Sequence, residues 1–213
     1  MTEAFNYKPQ FKHDDVEILE RSWIYRGFVQ LESVTLRHRL FKDQSFGPEL
    51  KREMTHRREA AGVFVHDPKL KKFLLIEQFR LGAFNSPVSP WQLEIIAGLI
   101  DEGEDAETCL RRESLEEAGC TLQDIKFLYR YFPSTGACDE IFSMYVATAD
   151  LSQAGGVFGA KDEGEDIKVH IFDYADVTPL MQSGHVSNAA LVIALQWLQQ
   201  FLSLSTNSIS KDQ

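Results

Sequence analysis

The stretch that most constrains the fold of this 213-residue chain covers residues 98–120 and predicts an acidic helix. Three of the residues 104–107 are acidic. Acidic residues favour the first turn of a helix, because the amide dipoles of the helix leave that end positive. Gly119 can take the left-handed conformation that often follows the last turn. We therefore predict a helix over residues 104–118.

Three glutamates of this helix, Glu113, Glu116 and Glu117, are spaced i, i+3 and i+4 and fall within an arc of about 100°. Ala106, Cys109 and Leu110 are predicted on the same side as Glu113 and Glu117, so we expect the three glutamates to turn inward together. Carboxylates that face the protein interior are costly unless a positive charge neutralises them. A divalent cation with oxygen ligands, Mg²⁺ or Mn²⁺, would do so. The alternative is a charged surface helix in which Arg112 pairs with Glu116.

The spacing of glycine, arginine and glutamate in this stretch matches a known pattern at seven positions. They are Gly98, Glu104, Arg112, Glu113, Glu116, Glu117 and Gly119. The pattern resembles the Nudix box, G-x5-E-x7-R-E-U-x-E-E-x-G-U, in which U is a bulky apolar residue. Ser114 and Cys120 depart from it at two U positions, which serve packing. The resemblance implies a metal-dependent hydrolase that cleaves the diphosphate of nucleoside diphosphates linked to another moiety.

The net charge of −10 argues against binding of a nucleic-acid backbone or an anionic membrane. It is compatible with a phosphorylated small molecule, because a bound metal reverses the local sign of the charge. The three cysteines show no paired spacing, and we find no signal peptide and no long apolar run. These features predict a cytoplasmic protein with reduced thiols.

The N-terminal part is rich in β-branched and aromatic residues and predicts an antiparallel sheet over residues 16–41, followed by a charged connection over 42–58. A sheet this small cannot bury two faces alone, so we expect it to pack on the rest of the chain or on a second copy. The predicted domains are an N-terminal antiparallel β domain for dimerisation over 1–55, a Nudix hydrolase domain over 56–203 and a flexible tail over 204–213.

The remaining sequence interleaves strands with helices, which predicts a sheet covered on both faces. The predicted strands cover residues 60–66, 73–79, 91–97, 125–132, 141–147 and 167–172, and the predicted helices cover 174–182 and 188–202. The Nudix resemblance implies an α/β fold, an α/β/α sandwich with a mixed β-sheet, with the box on a strand–loop–helix unit.

Two loops are further candidates for function. The glycine-rich loop over 155–166 has four carboxylates in its last five residues. It is either a solvated acidic loop or a lid that brings a general base to the attacking water. The turn-rich link over 132–140 could offer backbone N–H groups to phosphates, and Glu140 could hydrogen-bond a ribose. A plain connecting loop is the alternative.

Short phrases between residues 14 and 200 are similar to the branch of the Nudix family that hydrolyses ADP-ribose in bacteria. They include Leu75–Arg80, Asp162–Ile167 and Asn188–Leu198. This resemblance implies that Mg²⁺, with Mn²⁺ as a substitute, is held by Glu113, Glu116 and Glu117 and by the carbonyl of Ala97. It further implies that Glu163 is the catalytic base, that Glu165 is its close substitute and that Glu117 contributes to catalysis.

The same resemblance implies the contacts of the substrate. Arg52 and Arg80 would be cationic contacts, and the fork of donors on Arg80 suits a diphosphate. Phe28 would stack on adenine, and Glu140 would contact the terminal ribose.

The implied reaction is attack of water on one phosphorus of ADP-ribose, which gives AMP and ribose 5-phosphate, and other ADP-sugars are further candidate substrates. The implied assembly is a homodimer whose N-terminal domains exchange between subunits. Two alternatives stay open: a hydrolase of another nucleoside diphosphate sugar such as GDP-mannose, and a non-catalytic nucleotide-sensing module. The second is disfavoured because every box carboxylate is retained.

Overall fold

The structure of the chain is a computed structural model that describes residues 6–160 and 164–209, with side chains up to residue 204. Two compact units are present. The first contains the residues up to Arg57 together with Ser134–Glu140, and the second contains Arg58–Pro133 and the residues from Ile141 onwards.

The first unit contains a three-stranded antiparallel sheet. Its strands, in their order in the sheet, are β1 (Val16–Arg26), β2 (Gln30–His38) and β3 (Leu50–His56). The prediction of a charged connection over 42–58 is wrong for β3, which pairs with β2 from Leu36↔Leu50 to Gln30↔His56. The charged sequence of β3 shows no apolar alternation, so its strand conformation depends on pairing that the sequence does not display. In β1, two register shifts against β2 interrupt the alternation of side chains between the two faces of the sheet.

The segment Ser134–Glu140 is attached to the free edge of β3. The N–H of Thr55 donates to the carbonyl of Ala137 at 2.8 Å, and the N–H of Asp139 donates to the carbonyl of Thr55 at 3.2 Å. The ring of His56 bridges two carboxylates, with Nδ1 2.6 Å from Asp139 Oδ2 and Nε2 3.1 Å from Glu32 Oε2. Backbone and side-chain bonds thus fix this segment on the sheet.

The second unit contains a mixed eight-stranded sheet. Its strands are β4 (Ala60–Asp67), β5 (Lys72–Phe79), β6 (Trp91–Glu94), β7 (Ile96–Leu99), β8 (Gln123–Tyr131), β9 (Phe142–Thr148), β10 (Gly156–Phe158) and β11 (Ile167–Asp173). The order is β10-β11-β5-β4-β9-β8, with β6 paired to β5 and β7 paired to β4. The β4–β9 pair is parallel. The strand predicted over 91–97 is therefore two short strands with different partners.

Helices cover both faces of this sheet, as the sequence predicts. They are α1 (Ala106–Ala118), α2 (Val177–Gln182) and α3 (Ala189–Ile209). Because successive side chains of a strand point to opposite faces, β4 contributes Val63 to the core that includes Leu110 of α1 and Phe64 to the core that includes Leu195 of α3. Every residue of β4 is buried. The α/β/α arrangement is confirmed.

The ends of α1 are set by capping. The side chain of Asp105 accepts the N–H of Thr108 at 2.8 Å, and Gly119 adopts φ +60° at the other end. The predicted start at Glu104 is thus two residues early, because the capping carboxylate belongs to Asp105. Helix α3 continues to Ile209, beyond the predicted end at 202. Within the described ranges, no helix has the length and apolar character needed to cross a membrane.

Candidate active site

The strand β7 and the helix α1 place the box residues against each other. At Gly98 an added β-carbon would lie 1.8 Å from Oε1 of Glu113. Any larger residue at position 98 would therefore displace this carboxylate. The absence of a side chain at Gly98 leaves the space that the Glu113 carboxylate occupies.

Glu117 is the most buried carboxylate of the box, with 2% of its surface exposed. Its Oε2 accepts the N–H of Ala97 at 3.2 Å. Burial and the nearby charge of Glu113 raise the pKa of Glu117 to about 9, although Arg80 acts in the opposite direction. An acid with such a pKa is protonated at neutral pH unless a cation compensates its charge.

Arg112 is the counter-charge of the box. Its guanidinium donates to both oxygens of Glu104 at 3.2 Å, to Glu113 at 2.8 Å and to Glu116 at 3.2 Å. These bonds, with Glu104 first, raise the pKa of Arg112. Burial still raises the pKa of Glu113 against the opposing effect of Arg112.

The three glutamates do not turn inward as one group. Glu113 and Glu117 do, but the side chain of Glu116 is 45% exposed and pairs with Arg112. The expectation of an inward trio is thus wrong for Glu116, because Arg112, one turn earlier, holds its carboxylate at the surface. Among the described residues, no group of three His, Cys, Asp or Glu side chains stands close enough to hold a metal ion.

The chemistry of the site nevertheless fits a hard divalent cation. Glu117 is a buried carboxylate that accepts a backbone N–H, and two further carboxylates, Glu113 and Glu165, add negative charge beside it. Oxygen ligands of this kind suit Mg²⁺ or Mn²⁺. Glu116 could join them if its side chain left Arg112, and the Ala97 peptide already adjoins Glu117.

The glycine-rich loop over 155–166, called the acidic loop below, is attached to the C-terminal turn of α1. The N–H of Gly159 donates to the carbonyl of Glu116 at 3.1 Å. The carboxylate of Glu165 accepts the N–H of Ala160 at 3.0 Å, and its charge helps raise the pKa of Glu117. Glu163, the predicted base, lies outside the described residues.

Arg80 follows β5 directly and reaches the same site. Its Nε and Nη2 donate to Oε2 of Glu94 at 2.9 and 2.7 Å. Burial alone would lower the pKa of Arg80, but Glu94 raises it, with smaller contributions from Glu117 and Glu165. The sequence prediction missed Glu94. Its only signal in the sequence was a carboxylate inside a largely apolar predicted strand.

The other predicted contacts lie in the first unit. Phe28 is 85% exposed in the turn between β1 and β2, with the guanidinium of Arg57 5.9 Å from its ring. Nε of Arg57 is 3.8 Å from Oε2 of Glu140, so Arg57, which the prediction treated only as part of a basic stretch, connects the two. Arg52 is exposed on β3 and donates to the carbonyl of Lys51.

The fold of this chain is similar to that of a solved hydrolase structure. The second unit carries a mixed sheet between helices with a carboxylate-bearing strand–loop–helix, and the chain aligns with the crystal structure of an ADP compounds hydrolase. The TM-score is 0.69 at 21% identity, over 90% of this chain and 96% of that one. This likeness defines the fold class.

The family model described as NUDIX domain matches residues 56–194. The chain therefore belongs to the Nudix family and is a Nudix hydrolase. It is 40% identical to the ADP-ribose pyrophosphatase of Escherichia coli K12 over 199 residues, 93% of this chain and 95% of that protein. It is 36% identical to the Haemophilus influenzae ADP-ribose pyrophosphatase over 192 residues, 89% and 88% of the two chains. A GDP-mannose pyrophosphatase of Escherichia coli is 29% identical over 70% of this chain and 78% of its own length.

Proposed function

We propose that this protein is a metal-dependent hydrolase of ADP-ribose that releases AMP and ribose 5-phosphate and also accepts other ADP-sugars. The observation that carries the proposal is the buried carboxylate of Glu117, next to Glu113, on the box helix. Relatives that match most of the chain and are named ADP-ribose pyrophosphatases support the choice of substrate.

Glu113, Glu116 and Glu117 would hold Mg²⁺, with Mn²⁺ as a substitute, together with the carbonyl of Ala97. Such an ion supplies charge neutralisation at the phosphoryl oxygens and a lower pKa for the attacking water. Arg112 positions Glu113 through a hydrogen bond, and Glu116 would leave its bond to Arg112 to reach the ion.

In the proposed reaction, water attacks one phosphorus of the diphosphate, and the bond from that phosphorus to the bridging oxygen breaks. A carboxylate of the acidic loop accepts the proton of the water. Glu163 and Glu165 are the two candidates for this base. Glu165 has support from its electrostatic effect on Glu117, and the role of Glu163 rests on the sequence resemblance.

Four side chains are proposed to contact the substrate. Arg80 would bind the diphosphate with its fork of donors, and Arg52 would add a second positive charge. Phe28 would stack on adenine, because an exposed aromatic ring offers a face for a base. Glu140 would hydrogen-bond the terminal ribose.

We further propose a cytoplasmic homodimer in which the N-terminal β domain, residues 1–55, mediates dimerisation with exchange between subunits. Exposed apolar side chains on the β1–β2 hairpin support the proposal that a second subunit covers this surface. They are Trp23, Ile24, Tyr25 and Phe28, with exposures of 42%, 51%, 61% and 85%. The three free cysteines agree with a reducing compartment.

The second candidate is a pyrophosphatase for GDP-mannose, supported by the relative of that name at 29% identity. A non-catalytic sensing module would have no need of the box carboxylates, all of which are retained.

A substrate panel in oxygen-18 water tests these proposals together. With Mg²⁺ present, we expect faster turnover of ADP-ribose than of GDP-mannose, with AMP and ribose 5-phosphate as products and the label on the attacked phosphorus. Faster turnover of GDP-mannose would favour the second candidate. Binding of nucleotide sugars without any turnover would favour the sensing module.

A further inference from the structure

The ion pair between Arg80 and Glu94 consists of two hydrogen bonds to one oxygen. Two neighbouring donors of Arg80, Nε and Nη2, converge on the single oxygen Oε2 of Glu94, at 2.9 and 2.7 Å. Two bonds from one edge of a planar guanidinium fix the direction of its plane, which a single bond would leave free to rotate. Glu94 therefore determines where the opposite edge of Arg80 points.

Glu94 is itself held by the sheet. It lies on β6, paired with Ile76 of β5, and its Oε2 also accepts Nε2 of the buried Gln78 at 3.2 Å. The side chain of Glu94 is 17% exposed, compared with 47% for Arg80. The backbone N–H of Arg80 donates to the carbonyl of Pro90 at 2.8 Å. The more exposed partner, Arg80, is thus held by the more buried one, Glu94.

The remaining donors of Arg80 have no partner among the described residues. In the part of the chain that the structure describes, Nη1 makes no hydrogen bond. Nη2 donates one of its two hydrogens to Glu94, so its second hydrogen has no partner there. Two adjacent nitrogens of a guanidinium match the spacing of two oxygens on a phosphoryl group.

We propose that Glu94 is a positioning residue that orients Arg80 towards the diphosphate. This inference rests on the proposed function, in which Arg80 binds substrate. A purely structural role is the alternative, but a pair with a half-exposed arginine contributes little to stability. The positioning role therefore predicts a change in KM, and the structural role predicts a change in the melting temperature.

The test is a double-mutant cycle of Glu94→Ala and Arg80→Ala, with Mg²⁺ and ADP-ribose. We expect Glu94→Ala to raise KM by roughly tenfold and to change kcat by less than about threefold, since binding and transition state lose the same contact. In the Arg80→Ala background the same substitution should change KM by less than about twofold. The melting temperature should stay near that of the wild type.

Three further variants complete the experiment. Glu94→Gln keeps the shape and an accepting oxygen, so it should retain most of the affinity. Glu94→Leu has a similar volume but no oxygen to accept from Arg80, so it replaces Glu94→Ala in the cycle if that variant does not fold. Glu59→Ala is the matched control, because it removes another 2.7 Å pair, with Arg130, in the same unit. Its KM should equal that of the wild type.

The outcomes separate the two proposals. An unchanged KM for Arg80→Ala would contradict the proposed substrate contact. A raised KM for Arg80→Ala with an unchanged KM for Glu94→Ala would overturn the positioning role alone. The role is also overturned if the effect of the Glu94 substitution is undiminished in the Arg80→Ala background.

Discussion

Gly98 and Glu113 approach so closely that a β-carbon on the glycine would overlap the carboxylate of the glutamate, at 1.8 Å from Oε1. The relationship explains why a strand position and a helix position 15 residues later are linked in the sequence pattern. The glycine thus makes room for a carboxylate of the site.

Gly98→Ala should therefore damage the site more than the fold. The added methyl group pushes Glu113 out of place, and we expect kcat/KM to fall by at least about 100-fold, since a displacement of about 1 Å in a catalytic site has effects of this size. Steady-state kinetics and thermal melting will measure both effects. Gly82→Ala is the control, because a β-carbon added at Gly82 would meet no atom within 4 Å. Equal activity of the two variants would contradict the steric argument.

Glu117→Gln should lower kcat by about 100-fold or more, because a neutral amide is a poor ligand for a divalent cation. The fold should remain intact, since Gln has the same shape and Glu117 is protonated in the metal-free protein at neutral pH. Kinetics with Mg²⁺ and circular dichroism will test this. The exposed Glu107 of the same helix provides the control substitution Glu107→Gln. Wild-type turnover by Glu117→Gln would remove Glu117 from the mechanism.

The stability of the metal-free protein should depend on pH through Glu117. Its pKa is raised to about 9 by burial and by Glu113, compared with about 4.3 in an unfolded chain. The unfolded state therefore releases this proton first, so the stabilising contribution is complete below about pH 4 and is lost as the pH rises towards 9. Urea unfolding in EDTA at pH 6 and pH 9 will measure it.

Comparison with Glu117→Gln isolates this residue from the other titrating groups. The variant should lose less stability than the wild type between the two pH values. Parallel losses in both proteins would show that Glu117 does not carry the dependence.

Ser114→Ala should stabilise the protein by about 1 kcal/mol, because a buried hydroxyl without a partner loses its hydration on folding. Ser114 is fully buried, and its Oγ has no hydrogen-bond partner among the described residues. Chemical denaturation will test this, and activity should be unchanged. Destabilisation would mean that the hydroxyl is satisfied in solution.

The sequence predicts the helix α1 and the inward positions of Glu113 and Glu117, because helical periodicity and the box spacing are both local. It gives the surface pair of Arg112 with Glu116 only as an alternative, since the spacing does not show how Arg112 divides its donors among three acidic partners. Strand β3 escapes prediction because its charged residues carry no apolar period. The roles of Glu94 and Arg57 depend on contacts between segments that are distant along the chain, which no local pattern encodes.

The central claim is that the box carboxylates hold a divalent cation against the diphosphate of the substrate. The most direct measurement is a crystal structure with Mn²⁺ and a non-hydrolysable ADP-ribose analogue, in which anomalous scattering locates the metal. We predict an ion bound by oxygens of Glu113 and Glu117 and by a phosphoryl oxygen of the analogue, with Glu116 released from Arg112. An analogue bound with no metal at these carboxylates, and Glu116 still paired with Arg112, would contradict the account.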